Sequence, residues 1–378
     1  MGKLTYLRVF SGTLKGDSQG WNSNKGAAER IGQLFTLRGK SQEPTPQLVA
    51  GDIGALAKLA ETSTGDTLSS KERPLLLPSI SFPAPAFSAA VHPKTKADLD
   101  KMGSSLTRIV EEDPTLRVHR EPDTGETILS GLGEPHLEVT VEKIQRKFGV
   151  GLELTIPKVP YKEAITASAS AEYTHKKQTG GHGQYARVAI RLEPLPRGSG
   201  FQFANAVVGG TVPKTYIPAV EKGVLETLQE GVLAHYPLID LKVTLYDGKE
   251  HPVDSSEMAF KIAGAMALKQ GTLEARPILM EPIMTLRVVV PEANTGDAMG
   301  DLNSKRAKVS GITPQGHGFS MIEAQVPLAE VQRYATDLRS ITQGRGHYAL
   351  EFSHYEEVPA HLAQKIVDKA KEEAAKSS

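Results

Sequence analysis

Cysteine is absent from all 378 residues, so the chain holds no disulfide, no thiolate metal site and no cysteine nucleophile. An excess of charge is absent too. The 44 Lys and Arg balance 44 Asp and Glu, for a formal net charge of +0. Any contact with nucleic acid must then come from local basic patches and not from a global field. No apolar run reaches the roughly 18 residues that a membrane-spanning helix needs. The start, MGKLTYLRVF, alternates like a strand and is not a signal peptide. Because it opens inside a strand pattern, the sequence is expected to be a fragment of a longer protein. A complete phosphate loop is also missing. LRGKS (37–41) has the right ending, but the glycine required five positions before Gly39 is replaced by Leu34. GLGEPH, GHGQYA and GRGHYA each contain G-x-G without the strand–glycine–helix setting of a dinucleotide site, and they read as turns. The 11 His show no pair at metal-ligand spacing on one helix face. No catalytic residue, metal or cofactor is assigned to this chain.

What is present is a series of modules. Residues 1–70 are Gly-rich, with short alternating runs and no helical stripe, as in a small β-barrel or sandwich. Residues 71–86 carry Pro74, Pro78, Pro83 and Pro85 and read as a linker. Residues 87–157 give strand, helix, two strands, helix and strand. The first helix is marked by Leu99, Met102, Leu106, Ile109 and Val110, the second by Leu137, Val141, Ile144 and Phe148. That order is the βαββαβ of a ferredoxin-like domain. It recurs at 282–358, with one helix expected over 294–306 and another over 328–342. Between the two lies a mixed α/β segment, 158–281. It contains strands at 165–175, 184–194 and 240–248, a helix faced by Val220, Val224, Leu225, Leu228, Val232 and Leu233, and an Ala-rich helix after 255. A charged amphipathic helix closes the chain within 359–378. The fold class is multidomain α+β.

Two stretches of the middle segment carry chemistry. HKKQTGGHGQY (175–185) is a cationic, Gly-rich loop between two strands, suited to lie along a phosphate backbone; the plainer reading is a solvated hairpin tip. KEHPVDSSEMAF (249–260) places His251, Asp254 and Ser255 close together, the residue types of a hydrolytic triad. A triad is assembled from residues distant in sequence, and no G-x-S-x-G elbow occurs. Asp254 is instead expected to cap the following helix, with Glu257 at its third position, and His251 to stand exposed at the loop apex.

Taken in order, the segments GKLTYLRVFSGTL, AGDIGAL, TGDTL, ETILSGLGEPHLEV, GGHGQYARV, VGGTVPKTYIPAVEKGV, HPVDSSEMAFKIAG, GDLNSKRAKVSG and VPLAEVQRYATDLRSITQGRG resemble bacterial elongation factor G over nearly the whole chain. The resemblance implies domain II (1–70, lacking its first strand or strands), domain III (87–157), domain IV (158–281) and domain V (282–358). The GTPase domain, with its GTP and Mg2+, would precede residue 1. It implies a cytoplasmic, monomeric factor that promotes GTP-dependent translocation of tRNA and mRNA. Its partners would be the ribosome (16S and 23S rRNA and stalk-base proteins), the tRNA–mRNA pair and its own GTPase domain. The full-length factor would be a translational GTPase, whereas this chain would have no chemistry of its own. The decoding-site tip would consist of Lys176, Lys177, Gly180, Gly181, His182, Gly183, Gln184 and His251, supported by Asp254 and Glu257. Lys305, Arg306, Lys308, Arg339 and Arg345 would face large-subunit RNA. Two positions depart from the family pattern: GELHLE reads GEPHLE, with Pro135, and the tip Arg is His182. With the divergent segment NSNKGAAERIGQLFTLRGKSQEP, these departures point to a paralogue or a distant lineage, with recycling or ribosomal protection as alternative roles.

Overall fold

The computed structural model describes residues 3–177 and 183–377. The chain divides into two compact units. One runs to Pro85 and adds Pro93–Val118 and Glu138–Leu152; the other comprises Ala86–His92, His119–Leu137 and everything from Glu153. The division passes through the first βαββαβ module.

In the first unit, the Gly-rich region forms nine short strands between Leu4 and Ser69. They make a four-stranded, a two-stranded and a three-stranded sheet. Alternation sends Ile31, Leu34, Leu48 and Leu56 into one core with Val9 and Leu59. Glu29 is buried beside this core. Its carboxylate accepts from the backbone N–H groups of Ala60 (3.1 Å), Glu61 (2.7 Å) and Thr62 (2.6 Å), and from the Thr62 hydroxyl (2.7 Å). Burial pushes this carboxyl up, but the four donors outweigh it and hold it below its ordinary value. Residues 71–86 contain no helix or strand, as their prolines require. The helix Lys96–Glu112 starts with a capping box in which Thr95 and Asp98 satisfy each other's backbone N–H groups. Leu106 and Ile109 are buried as the stripe predicts, but Leu99 is 55% exposed, and Ser105 is buried in its place.

The sheet of the first module, most of which belongs to the second unit, has the order Arg117–Arg120, Thr127–Gly131, Phe87–Pro93, Leu152–Thr155. This is the ferredoxin-like order, with the first and third strands central. The second module repeats it: Lys308–Gly316, Phe319–Pro327, Pro277–Pro291, His347–Glu357. Its alternation is clean. Leu286, Val288, Val290, Ile322 and Val326 face a core completed by Ala298, Leu302, Tyr334 and Leu338 from the helices.

Several expected boundaries move. The strand expected over 165–175 is two strands in different sheets, Lys162–Ile165 and Ala169–Lys177. The first of these pairs with Pro277–Met280, so Pro277–Pro291 runs unbroken across the expected border at 281/282. The helix expected over 294–306 is a single 3-10 turn, Glu292–Asn294, followed by Thr295–Ser304. The helix expected over 328–342 breaks into Leu328–Val331 and Tyr334–Thr342. At the break, the Gln332 side chain donates to the carbonyl of Pro157 (2.5 Å). Leu225 is 42% exposed, and Val232 and Leu233 lie beyond the end of the helix Ile217–Glu230. That following loop is organised by Glu163, which is fully buried. It accepts from the backbone N–H groups of Val232 (2.8 Å), Leu233 (2.8 Å), Ala234 (2.7 Å) and Tyr236 (3.2 Å). No helix among the described residues is long and apolar enough to cross a membrane.

Candidate functional site

The strands Ala169–Lys177 and Gln184–Pro194 form a hairpin whose last pair is Lys177 with Gln184. Leu241–Lys249 pairs antiparallel with Gln184–Pro194, and Lys249 stands opposite Arg187. The hairpin end and the loop after Lys249 therefore leave the same end of one sheet. That loop leads into the helix Glu257–Glu274.

This helix is held close to its surroundings by missing side chains. A Cβ at Gly271 would lie 2.6 Å from Leu192 Cδ1 on the sheet. At the crossing with the helix Ile217–Glu230, a Cβ at Gly223 would lie 2.1 Å from the Lys261 carbonyl oxygen. Phe260, fully buried, stacks on Tyr216 with ring centroids 4.7 Å apart. Burying such a ring stabilises by roughly 2–3 kcal/mol. The loop is thus attached to a rigid helix at one end and a sheet strand at the other.

Asp254 does not cap the helix. The N-cap is Ser256, with extended φ and ψ of −148° and 160°, and its hydroxyl accepts from the Ala259 N–H at 3.2 Å. Glu257 is the first helical residue and not the third, exposed at the positive end of the dipole. The expectation placed the cap two residues early, because Asp and Ser are both good caps and sequence alone does not choose between them.

Asp254 instead reaches the hairpin. Its Oδ1 accepts the Gly183 N–H at 3.0 Å, and its carbonyl accepts the Tyr185 N–H at 2.8 Å. Ser255 Oγ donates to the Tyr185 carbonyl and accepts from the His251 N–H, both at 2.8 Å. His251 Nδ1 lies 3.2 Å from the Asp254 backbone N, 3.4 Å from that of Val253 and 3.3 Å from Asp254 Oδ2. The two backbone N–H groups point toward Nδ1 and are placed to donate to it. The imidazole remains half exposed, and the Tyr185 ring lies 6.0 Å from it, centroid to centroid.

This geometry does not form a hydrolytic triad. The Ser255 hydroxyl is committed to the Tyr185 carbonyl, and no hydrogen bond joins it to the His251 ring among the described residues. A nucleophile needs its hydroxyl on the base.

The remaining tip candidates divide by position. Lys176 and Lys177 are exposed and have no ion-pair partner among the described residues. Gln184 is held by His175, its Oε1 lying 3.0 Å from His175 Nε2. Gly180, Gly181 and His182 lie outside the described residues. Tyr185 and Ser255, which link the two loops, were not among the expected site residues. The sequence signal was there in part, because Tyr185 and Gly183 flank Gln184 on the alternation of the strand.

In the second module the expected basic set is not all available. Arg306 reaches Glu281 through both Nη atoms (2.8 and 2.7 Å) and Glu330 through Nε (2.8 Å). The Glu281 bonds raise its pKa above the ordinary arginine value despite burial. Lys305 pairs with Asp301 (2.8 Å) and Asp337 (3.0 Å), and only 16% of its side chain is exposed. Burial lowers its pKa and these carboxylates raise it, with a net rise. Lys305 and Arg306 are therefore engaged in ion pairs within the chain. Lys308 is 68% exposed, though paired with Glu356 at 2.8 Å. Arg339 and Arg345 are exposed.

A domain of short strands, a βαββαβ module, a mixed domain with a stitched two-loop tip and a second βαββαβ module define the modular architecture of a translation factor. Family models match these regions in series. They are Elongation factor Tu domain 2 over residues 2–69, Elongation Factor G domain III over 82–156, Elongation factor G domain IV over 157–276 and Elongation factor G C-terminus over 278–366. The chain belongs to the elongation factor G family and carries its domains II to V. A GTPase domain is not among the matched regions. A crystal structure of a protein from Thermus thermophilus is similar, with 39% identity and a TM-score of 0.84. The match covers 98% of this chain and 56% of that one, so this chain spans little more than half the length of that relative.

Proposed function

We propose that this chain is the ribosome-engaging portion of an elongation factor G that promotes GTP-dependent movement of tRNA and mRNA. GTP hydrolysis and its Mg2+ belong to the GTPase domain of the full-length factor. Domain IV enters the small-subunit decoding site, and its tip contacts RNA. The observation that carries this reading is the tip itself. A half-exposed His251 is fixed by backbone and side-chain bonds at the end of the sheet that also carries the exposed Lys176 and Lys177. Lysines neutralise phosphates, and an imidazole hydrogen-bonds or stacks on a nucleotide. Lys308, Arg339 and Arg345 of domain V face large-subunit RNA in the same reading.

The test is His251→Ala in the full-length factor. Single-round translocation slows about tenfold or more, because misplacement at a contact site carries that scale of cost. GTP hydrolysis on the ribosome stays near the parent rate. Unchanged translocation would contradict the reading.

A further inference from the structure

We infer that Asp254 is a positioning residue that ties the His251 loop to the hairpin end at Gly183 and Tyr185; the inference rests on the functional reading of the tip given above. Its backbone and side chain serve three neighbours at once. Oδ1 holds the Gly183 N–H (3.0 Å), the carbonyl holds the Tyr185 N–H (2.8 Å), and the Asp254 N–H is given to His251 Nδ1 (3.2 Å). Ser255 reinforces the junction by joining the Tyr185 carbonyl to the His251 N–H. The contact is so close that a Cβ at Gly183 would lie 2.9 Å from Asp254 Cγ. A side chain at 183 would push the Asp254 carboxylate out of place. Because Ser256 caps the helix, the Asp254 carboxylate is free for the hairpin.

The physical consequence is coupling. Among the described residues, the hydrogen bonds of His251 all lie within its own loop, and such loops sample several conformations. Fastening that loop to Gly183 and to the strand residue Tyr185 removes that freedom before the tip meets its target. Preorganisation of this kind strengthens binding without adding a contact. Asp254 itself need not touch RNA.

Two experiments separate this inference from the functional reading. On this chain alone, labelled with 15N-glycine and 15N-histidine, Asp254→Ala shifts the Gly183 amide and the His251 ring resonances, and Asp254→Asn, which keeps the Oδ1 acceptor, restores the Gly183 amide. Unchanged resonances in Asp254→Ala would overturn the brace, whatever the tip does on the ribosome. In the full-length factor, Asp254→Ala slows single-round translocation about tenfold, and Asp254→Asn largely recovers it. The double variant Asp254→Ala/His251→Ala is no slower than the slower single variant, because both act through one element. Multiplicative slowing would overturn the positioning role. A normal rate in His251→Ala alone would count against the functional reading and leave the resonance test to decide the brace.

Discussion

Domain IV and domain V each present a cluster of cationic residues in sequence, and the structure treats the two in opposite ways. In domain V, Lys305 and Arg306 are consumed by Asp301, Asp337, Glu281 and Glu330. In domain IV, Lys176 and Lys177 end a hairpin with no carboxylate partner among the described residues. The difference lies in what surrounds each cluster. Glu281, 4% exposed on its side chain, sits on a strand that threads both domains and needs a cation beside it. The tip has no buried carboxylate to neutralise: Glu250 and Glu257 are exposed, and Asp254 Oδ1 accepts the Gly183 N–H. Charge in a sequence is thus not the same as charge available to a partner.

The largest effect expected from this contrast is on stability. Arg306→Ala leaves Glu281 buried without a counter-charge and costs about 3–5 kcal/mol, read as a lowered thermal midpoint. Lys308→Ala, whose pair with Glu356 is exposed, changes stability by no more than about 0.5 kcal/mol. Equal effects of the two substitutions would erase the distinction between internal and available cations.

The next effect is on pH. Glu29 is held by backbone donors as Asp254 is, but deep in domain II, where its carboxyl lies below the ordinary value of 4.5. A depressed folded pKa means that its contribution is fully present above the unfolded pKa. It is lost as pH falls through the folded one. Glu29→Gln therefore flattens the loss of stability of this chain below about pH 4.5. An acid limb identical in parent and variant would show that the carboxylate is not the group responsible.

The smallest effect on the chain itself, and the sharpest on its partner, is at the tip. Lys176→Ala and Lys177→Ala leave the thermal midpoint within about 0.5 kcal/mol of the parent. If each lysine meets a phosphate, each substitution reduces the salt dependence of ribosome binding by about one unit of slope. An unchanged slope would remove that lysine from the contact.

Much of this was legible in the sequence, because periodicity reports the local environment. The two βαββαβ modules, with their helices from Leu137 to Phe148 and their strands around Leu286–Val290, follow directly from alternation and helical spacing. The site was less legible. His251 and the lysines stood out by residue type and position, but the brace could not, since Gly183 and Asp254 are 71 residues apart. The same holds for Arg306, whose partners Glu281 and Glu330 are assembled only by the fold. Capping went wrong for a local reason: in Asp254-Ser255-Ser256 three residues compete for one role, and the backbone angles at Ser256 decide it.

The central claim is that the His251 end of domain IV meets RNA in the decoding site of the small subunit. The most direct measurement places a photocrosslinking amino acid at position 251 of the full-length factor and irradiates it on ribosomes carrying tRNA and mRNA. The account predicts crosslinks to small-subunit ribosomal RNA, mRNA or tRNA, lost when the same amino acid is moved to Leu273, an exposed position near the far end of the helix Glu257–Glu274 that follows the loop. Crosslinks from position 251 only to large-subunit components, or equal crosslinking from both positions, would contradict it.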